Sequence, residues 1–284
     1  MTRWLITGAG GMAGTDLREA LALRDEPVVA LTKSDLDITD SRCVARCVDD
    51  ERPDVIVNCA AYTKVDQAES DESVANAING SAVELLAQAA NDAGALLVQL
   101  STDFVFDGSK RTPYEINDAT RPLSAYGRSK LLGELAATHA EKHVIVRTSW
   151  LFGTHGPNFV EAIRRQLRLG NPLRVVNDQR GRPTYTPHLA EAILRIVAND
   201  ARGIVHYADE DECTWYDFAC AIAPEAKIAP VSTEEFPRPA PRPAYSVLST
   251  ERYERLTGVT PASWREGLRE YLHASDTRHS PPRP

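Results

Sequence analysis

The chain has 284 residues, 43% of them apolar and 25% charged, which suits a soluble globular protein with a well-buried core and room for one large or two modest domains. Its formal net charge of −8 argues against a nucleic-acid partner, so an anionic ligand must be held by local donors working against the overall field. No stretch approaches the roughly 18 apolar residues of a membrane span; the opening M-T-R-W-L-I-T-G carries no apolar leader, and no C-x-x-C pair occurs among the five cysteines, so a cytoplasmic protein with reduced thiols is expected.

Taken in order, residues 4–7 form a short apolar run ending in glycine, and residues 12–23 show helical periodicity. Residues 28–31 read as a second strand, and 41–50 as a helix with Thr39 or Asp40 as its N-cap. Residues 55–58 follow Pro53 as a buried strand, and 74–93 read as one long helix ended by Gly94. Strands at 95–100 and 144–147 flank a helix at 125–139. Short apolar strands alternating with helices predict an α/β fold with a doubly wound parallel sheet, whose ligand lies beyond the carboxyl ends of the strands.

The pattern changes after Trp150. Helices are expected at 158–169 and 187–197, and a short strand at 203–206. Prolines are dense from 224 to 243, where P-R-P-A-P-R-P can be neither regular helix nor central strand, and serves as a linker or as an ordered loop over a cleft. Closing helices are expected at 249–256 and 263–272. The implied organisation is a dinucleotide-binding domain at 1–149 with a return segment near 183–206, a smaller substrate-binding domain at 150–182 and 207–275, and a disordered tail at 276–284.

The first strand-to-helix turn, T-G-A-G-G-M-A-G, places Gly8, Gly11 and Gly14 as G-x-x-G-x-x-G around Met12. Such glycines let backbone amides approach a pyrophosphate, with a helix N-terminus behind them to favour its charge. At the end of the second strand stand Thr32, Lys33 and Ser34 with no acid directly at the strand end, which leans to NADP or to dual use, Lys33 being the cation for a 2'-phosphate. N-C-A-A-Y brings Ala60, Ala61 and Tyr62 after a strand, where small residues permit close contact with a cofactor. Thr102 and Asp103 end the next strand, where a hydroxyl can bond a substrate oxygen. In S-A-Y-G-R-S-K, Tyr126 and Lys130 are an i, i+4 pair on one helix face. A free phenol, with its pKa near 10, is a poor neutral-pH acid; an ammonium beside it favours the phenolate and lowers that value.

G-x-x-G-x-x-G, A-A-Y-T-K-V-D-Q-A-E, S-T-D-F-V-F-D-G, Y-G-R-S-K, R-T-S-W-L-F-G and Q-R-G-R-P-T-Y occur in this order and together resemble the dTDP-4-dehydrorhamnose reductase family of the extended short-chain dehydrogenase/reductases. The resemblance spans about residues 2 to 272 and implies a Rossmann fold that reduces the 4-keto group of a dTDP-4-keto-6-deoxy-hexose with NADPH or NADH. It implies that Tyr126 donates the proton, that Lys130 tunes Tyr126 and bonds the nicotinamide ribose, and that Thr102 bonds the carbonyl or Tyr126. Asp37 and Ile38 match a segment near the adenine. Asp103, Phe104, Val65 and Trp150 would border the sugar, and Asn158, Arg182 and Arg242 the diphosphate end, where cations suit the charge.

Phe104 departs from the tyrosine common in the family and removes a hydroxyl near the sugar. Some members bridge dimers through magnesium; Asp16 and Glu191 lie in the corresponding regions, and no metal ligand is assigned. His155 and His188 read as structural. A monomer or homodimer binding a dTDP-sugar, with no nucleic-acid or membrane partner, is expected. Two other readings stand beside this one: a nucleotide-binding regulatory subunit of the methionine adenosyltransferase type, and a nucleotide-sugar epimerase.

Overall fold

Buried parallel strands need apolar side chains on both faces, and the strand runs of this chain meet that need. The structure is a computed structural model and describes residues 1–279. It forms one six-stranded sheet from β1 (Trp4–Thr7), β2 (Val28–Leu31), β3 (Val55–Asn58), β4 (Leu96–Thr102), β5 (His143–Thr148) and β6 (Gly203–His206). The spatial order is β6-β5-β4-β3-β1-β2, every pair parallel. The chain runs outward from β1 to β2 and then returns to the other side of β1 for β3. That reversal leaves a crevice at the carboxyl ends of β1 and β3.

Side-chain alternation sorts the two faces. Trp4, Ile6, Val57 and Val146 pack against Leu17 and Leu21 of α1 (Met12–Ala22) and Leu189 and Ile193 of α7 (Thr186–Ala198). Leu5, Ile56 and Ile145 face the other way, against Val44 and Val48 of α2 (Ser41–Glu51) and Val83 and Leu86 of α4 (Ala82–Ala93). Asp40 caps α2 by accepting from the backbone amides of Arg42 and Cys43. α4 ends at Gly94, whose φ of 67° is the left-handed turn that favours glycine.

The single helix expected at 74–93 is instead α3 (Glu72–Asn76), one π turn at Ala77–Ser81, and α4. The wide turn carries the Asn79 carbonyl against α5 (Ala125–Ala137), where a Cβ at Gly133 would lie 2.0 Å from it. β4 runs past residue 100 to Thr102, because its pairing with β5 continues to Thr102 opposite Thr148.

A separate core gathers Phe152, Val160, Ile163, Phe218, Trp264 and Tyr271 from later segments. It is built from α6 (Phe159–Arg168), α8 (Trp215–Ile222), α10 (Trp264–His279) and short strand pairs such as Leu173–Val176 with Ile228–Val231. The remaining helix, α9 (Glu251–Thr257), packs on α7 and β6. α10 continues to His279, past the expected start of a tail at 276; the rest of that tail, 280–284, lies outside the described residues. The proline-dense segment is an ordered strap, held to the loop after β3.

Candidate active site

The glycine turn at the end of β1 is tight because backbone fills the space a side chain would take. A Cβ on Gly8, where φ is +67°, would stand 2.4 Å from the Ala60 amide nitrogen, and one on Gly14 would stand 2.6 Å from the Gly8 carbonyl. Gly11 is the N-cap of α1; no side chain caps the helix, and no acid stands in its first turn. The first amides of a helix have no partner within it, so this end suits a phosphate. Outside Gly10 the nearest atom to an added Cβ is a Thr32 methyl at 3.6 Å, so the turn is open on that side. The residues present therefore fit a dinucleotide pyrophosphate.

At the end of β2 the arrangement differs from the expected one. Lys33 is exposed, and Thr32 donates its amide and hydroxyl to Asp35 at 2.8 and 2.6 Å, a carboxylate that pattern reasoning passed over. Asp37 accepts from the Thr39 amide at 3.0 Å and hydroxyl at 2.7 Å. The Ile38 side chain is 6% exposed and packs into the core beneath the sheet.

α5 brings the phenol and the ammonium to the end of β4. Ser124 caps the helix by accepting from the Gly127 amide at 3.1 Å, and Gly127 is required because a Cβ there would lie 2.3 Å from the Phe104 carbonyl. Burial pushes the Tyr126 phenol up to about 12; a hydrogen bond with Thr102 acts against this and the nearby Asp103 adds to it. Burial pulls Lys130 down to about 8, against the Glu134 charge and the neighbouring Cys59. The expectation that Lys130 lowers the phenol is not met in this geometry. The ammonium is turned to the Leu100 carbonyl at 2.7 Å, and burial dominates at Tyr126.

Asn79, which the sequence did not single out, ties this arrangement together from the π turn. Its side chain accepts from the Tyr62 amide at 2.8 Å and donates to the Ser129 hydroxyl at 2.8 Å, which donates in turn to the Tyr126 carbonyl. Tyr62 and Tyr126 share one apolar cluster with Ala68, Ala75 and Ala125. Ala60 and Ala61 are half-buried beside it. Behind Lys130, Glu134 accepts from Ser101 at 2.6 Å and from Arg147 Nε and Nη2 at 2.8 and 2.7 Å, all buried.

Asp103 is 2% exposed and accepts from Thr102 at 3.1 Å, with Ser246 from the segment after the strap beside it. Burial pushes its carboxyl up to about 7, and its Oδ2 has no hydrogen-bond partner. The Phe104 ring meets Tyr126 edge-on at 5.9 Å. Trp150 has φ of 48°, a left-handed conformation that costs a bulky residue energy. Its indole stacks on Trp215 at 3.6 Å and presses on Gly181, where a Cβ would meet the ring at 2.5 Å.

Arg182 keeps Nε and Nη1 buried without hydrogen-bond partners, a donor set suited to an anion. Asn158 instead caps α6, accepting from the Glu161 amide and donating to the Gly153 carbonyl, so its polar atoms are committed within the fold. Val65 is half-buried next to Asp66, which holds Arg242 at 2.7 Å.

Asp16 and Glu191 do not form one cluster. Glu191 is taken by Arg24 at 2.6 Å, whereas Asp16, Glu19 and His155 bring one ligand atom each within 4.8 Å of one another. His188 pairs with the buried Asp209 at 3.0 Å, a partner that lay outside the sequence pattern.

The family model described as RmlD substrate binding domain matches residues 2–277. The chain is similar to a dTDP-4-keto-6-deoxy-D-glucose reductase of Streptomyces niveus, 43% identical over 91% of this chain and 92% of that one. It is 42% identical to a dTDP-4-dehydrorhamnose reductase of Mycobacterium tuberculosis over 96% of this chain and 93% of that one. Its fold is similar to the crystal structure of dTDP-4-dehydrorhamnose reductase from Bacillus anthracis in complex with NADP, with a TM-score of 0.93, 38% identity, and coverage of 96% of this chain and 99% of that chain.

Proposed function

The chain belongs to the dTDP-4-dehydrorhamnose reductase family, and from that premise we propose that it reduces the 4-keto group of a dTDP-4-keto-6-deoxy-L-hexose to give dTDP-L-rhamnose or a related deoxysugar. The observation that carries this is the arrival of Tyr126 of α5 beside Thr102 at the end of β4, with Lys130 buried behind it and the glycine turn of β1 beside it. Gly8–Gly14 and Ala60–Tyr62 would hold a reduced nicotinamide dinucleotide, which would supply the hydride. The chain's own residues supply the proton and the geometry.

Tyr126, with a pKa of about 12, is protonated at neutral pH and gives its proton to the carbonyl oxygen. Thr102 orients that hydroxyl. The phenolate left behind is costly in a dry site, and Lys130, charged below about pH 8, stabilises it by turning from the Leu100 carbonyl. Arg182 and Arg242 bind the diphosphate. Lys33 at the end of β2 favours NADPH, and magnesium has no step in this reading. The enzyme works in the cytoplasm as a monomer or homodimer, without a nucleic-acid or membrane partner; no described helix is long and apolar enough to cross a membrane.

The test is oxidation of NADPH and NADH with the dTDP-4-keto-6-deoxy-L-hexose, followed by identification of the product. Tyr126→Phe should cut turnover by at least ~10²-fold, the scale of a lost general acid, while NADPH still binds. Turnover surviving in Tyr126→Phe would remove the proton donor from this scheme. A second substrate reading rests on Phe104, which offers the sugar no hydroxyl. If the L-hexose is inert and the corresponding 4-keto-6-deoxy-D-hexose is reduced, that reading replaces the first.

A further inference from the structure

One carboxylate fixes the proline-dense strap. Asp66 lies in the loop after β3 and accepts from Arg238 Nε at 3.0 Å, from Arg238 Nη2, from Arg242 Nη1 at 2.7 Å, and from the Ala240 amide at 3.3 Å. These partners are 172 to 176 residues away in the chain. Beyond the strap, the chain crosses the end of β4. A Cβ on Gly108 would meet the Ala244 amide nitrogen at 2.7 Å, and Ser246 reaches Asp103. The segment therefore spans the carboxyl ends of β3 and β4, where the sugar nucleotide is read to sit.

The charges at this junction do not cancel: two guanidiniums meet one carboxylate, leaving one positive charge. Arg242 Nη1 also donates to the Ala240 carbonyl at 2.6 Å, so the strap's own backbone fixes that side chain's direction. Its side chain is 17% exposed and that of Asp66 23%, so the pair is shielded enough to be held but still reachable from the cleft. The alternating prolines restrict the strap's backbone, so few anchors define its position.

We infer that Asp66 is a positioning residue that latches the Arg238–Arg242 strap over the cleft rim and so presents its guanidiniums to the diphosphate of the sugar nucleotide. The ligand in this inference rests on the reading of the previous section; the latch does not. Pre-organising the arginines removes the ordering cost that a loose strap would impose on each binding event. The latch therefore acts on substrate affinity, not on the proton transfer at Tyr126.

The test compares the full-length parent with Asp66→Asn and Asp66→Glu. Thymidine diphosphate and NADPH are titrated separately, and hydrogen exchange is followed at the Ala240 amide. Asp66→Asn should weaken thymidine diphosphate roughly ten-fold, raise the sugar-nucleotide KM by a similar factor with kcat within about three-fold, and leave NADPH affinity unchanged. Ala240 should exchange faster, and Asp66→Glu should recover most of each effect. Unchanged exchange in Asp66→Asn would remove the latch. Faster exchange with unchanged thymidine diphosphate affinity would remove the link to the diphosphate. Equal loss of NADPH and thymidine diphosphate binding, in Asp66→Glu as well, would reduce the contact to a fold-stabilising one. A parent chain that binds NADPH but no thymidine diphosphate would refute the substrate reading and the ligand assigned here, while the exchange data would still decide the latch.

Discussion

Replacing Glu134 with glutamine keeps the shape of the side chain and removes the counter-charge bonded to a buried arginine. The side chains of Arg147 and Glu134 are 2% and 5% exposed, and the contact is two-pronged at 2.8 and 2.7 Å. In Glu134→Gln the new amide would turn a donor toward Arg147 Nη2, which is itself a donor. Arg147 would keep its Nε bond to the remaining oxygen, a marginal 3.5 Å contact to the Ile116 carbonyl and its approach to His206, but no counter-charge. Breaking one partner of such a pair costs about 3–5 kcal/mol. With an unfolding entropy of roughly 2.1 cal/mol/K per residue, a chain of 284 residues should lose about 5–8 °C in Tm. The double variant Glu134→Gln, Arg147→Met removes both charges and should recover most of that loss, since a neutral pair has no stranded ion.

The same substitution reaches the chemistry. Glu134 is the largest influence holding the Lys130 pKa up against burial. Without it the ammonium should lose its proton at a lower pH, and the alkaline fall of kcat/KM should shift downward from about pH 8. Thermal unfolding and a pH–rate profile measure the two effects separately. A single variant costing under ~1 kcal/mol, or a double variant as unstable as the sum of the singles, would show that the pair is not the buried electrostatic unit described here.

Asp103→Asn tests the buried carboxyl. Its folded pKa of about 7 lies above an unfolded value near 4. The native state therefore binds the extra proton, and ionisation costs stability as pH rises through 7. Relative to the parent, Asp103→Asn should be more favourable at pH 8 than at pH 5, with a difference of about 2.5 kcal/mol as an upper bound, the two pH units between 5 and the folded pKa; parallel Tm curves across that range would contradict the assignment. Gly181→Ala adds a methyl 2.5 Å from the Trp150 indole. It should destabilise by about 1–3 kcal/mol, weaken the exciton signal of the Trp150–Trp215 stack in circular dichroism, and raise the sugar-nucleotide KM. An unchanged stack signal would place the ring elsewhere.

The sheet was legible because each buried strand is a short apolar run, and the glycine turn because its spacing has a backbone reason. Tyr126 and Lys130 were legible as an i, i+4 pair. Their mutual effect was not, since it depends on the 2.7 Å bond from Lys130 to Leu100 and on burial, neither of which has a local signature. Asn79 was hidden because a π turn follows from packing against Gly133, not from hydropathy. Asn158 looked like a ligand-binding group but serves as an N-cap. Its place directly before an apolar-periodic helix could have shown that. The bonds of Asp66 to Arg238 and Arg242 close over more than 170 residues, beyond any pattern read along the chain.

The sheet takes its last strand from residues Gly203–His206, after the chain has left it to build much of the other core. During synthesis, β5 therefore emerges as an open edge, and the apolar face that α7 will cover stays wet until α7 is made. An open strand edge is a template for pairing with other chains. A ribosome pausing between residues 149 and 203 would hold this protein with that edge unpaired, and a fragment cut at 149 would keep the liability permanently. Any attempt to exchange the second core for another must carry α7 and β6 with the six-stranded sheet, because the two are interleaved and not joined end to end.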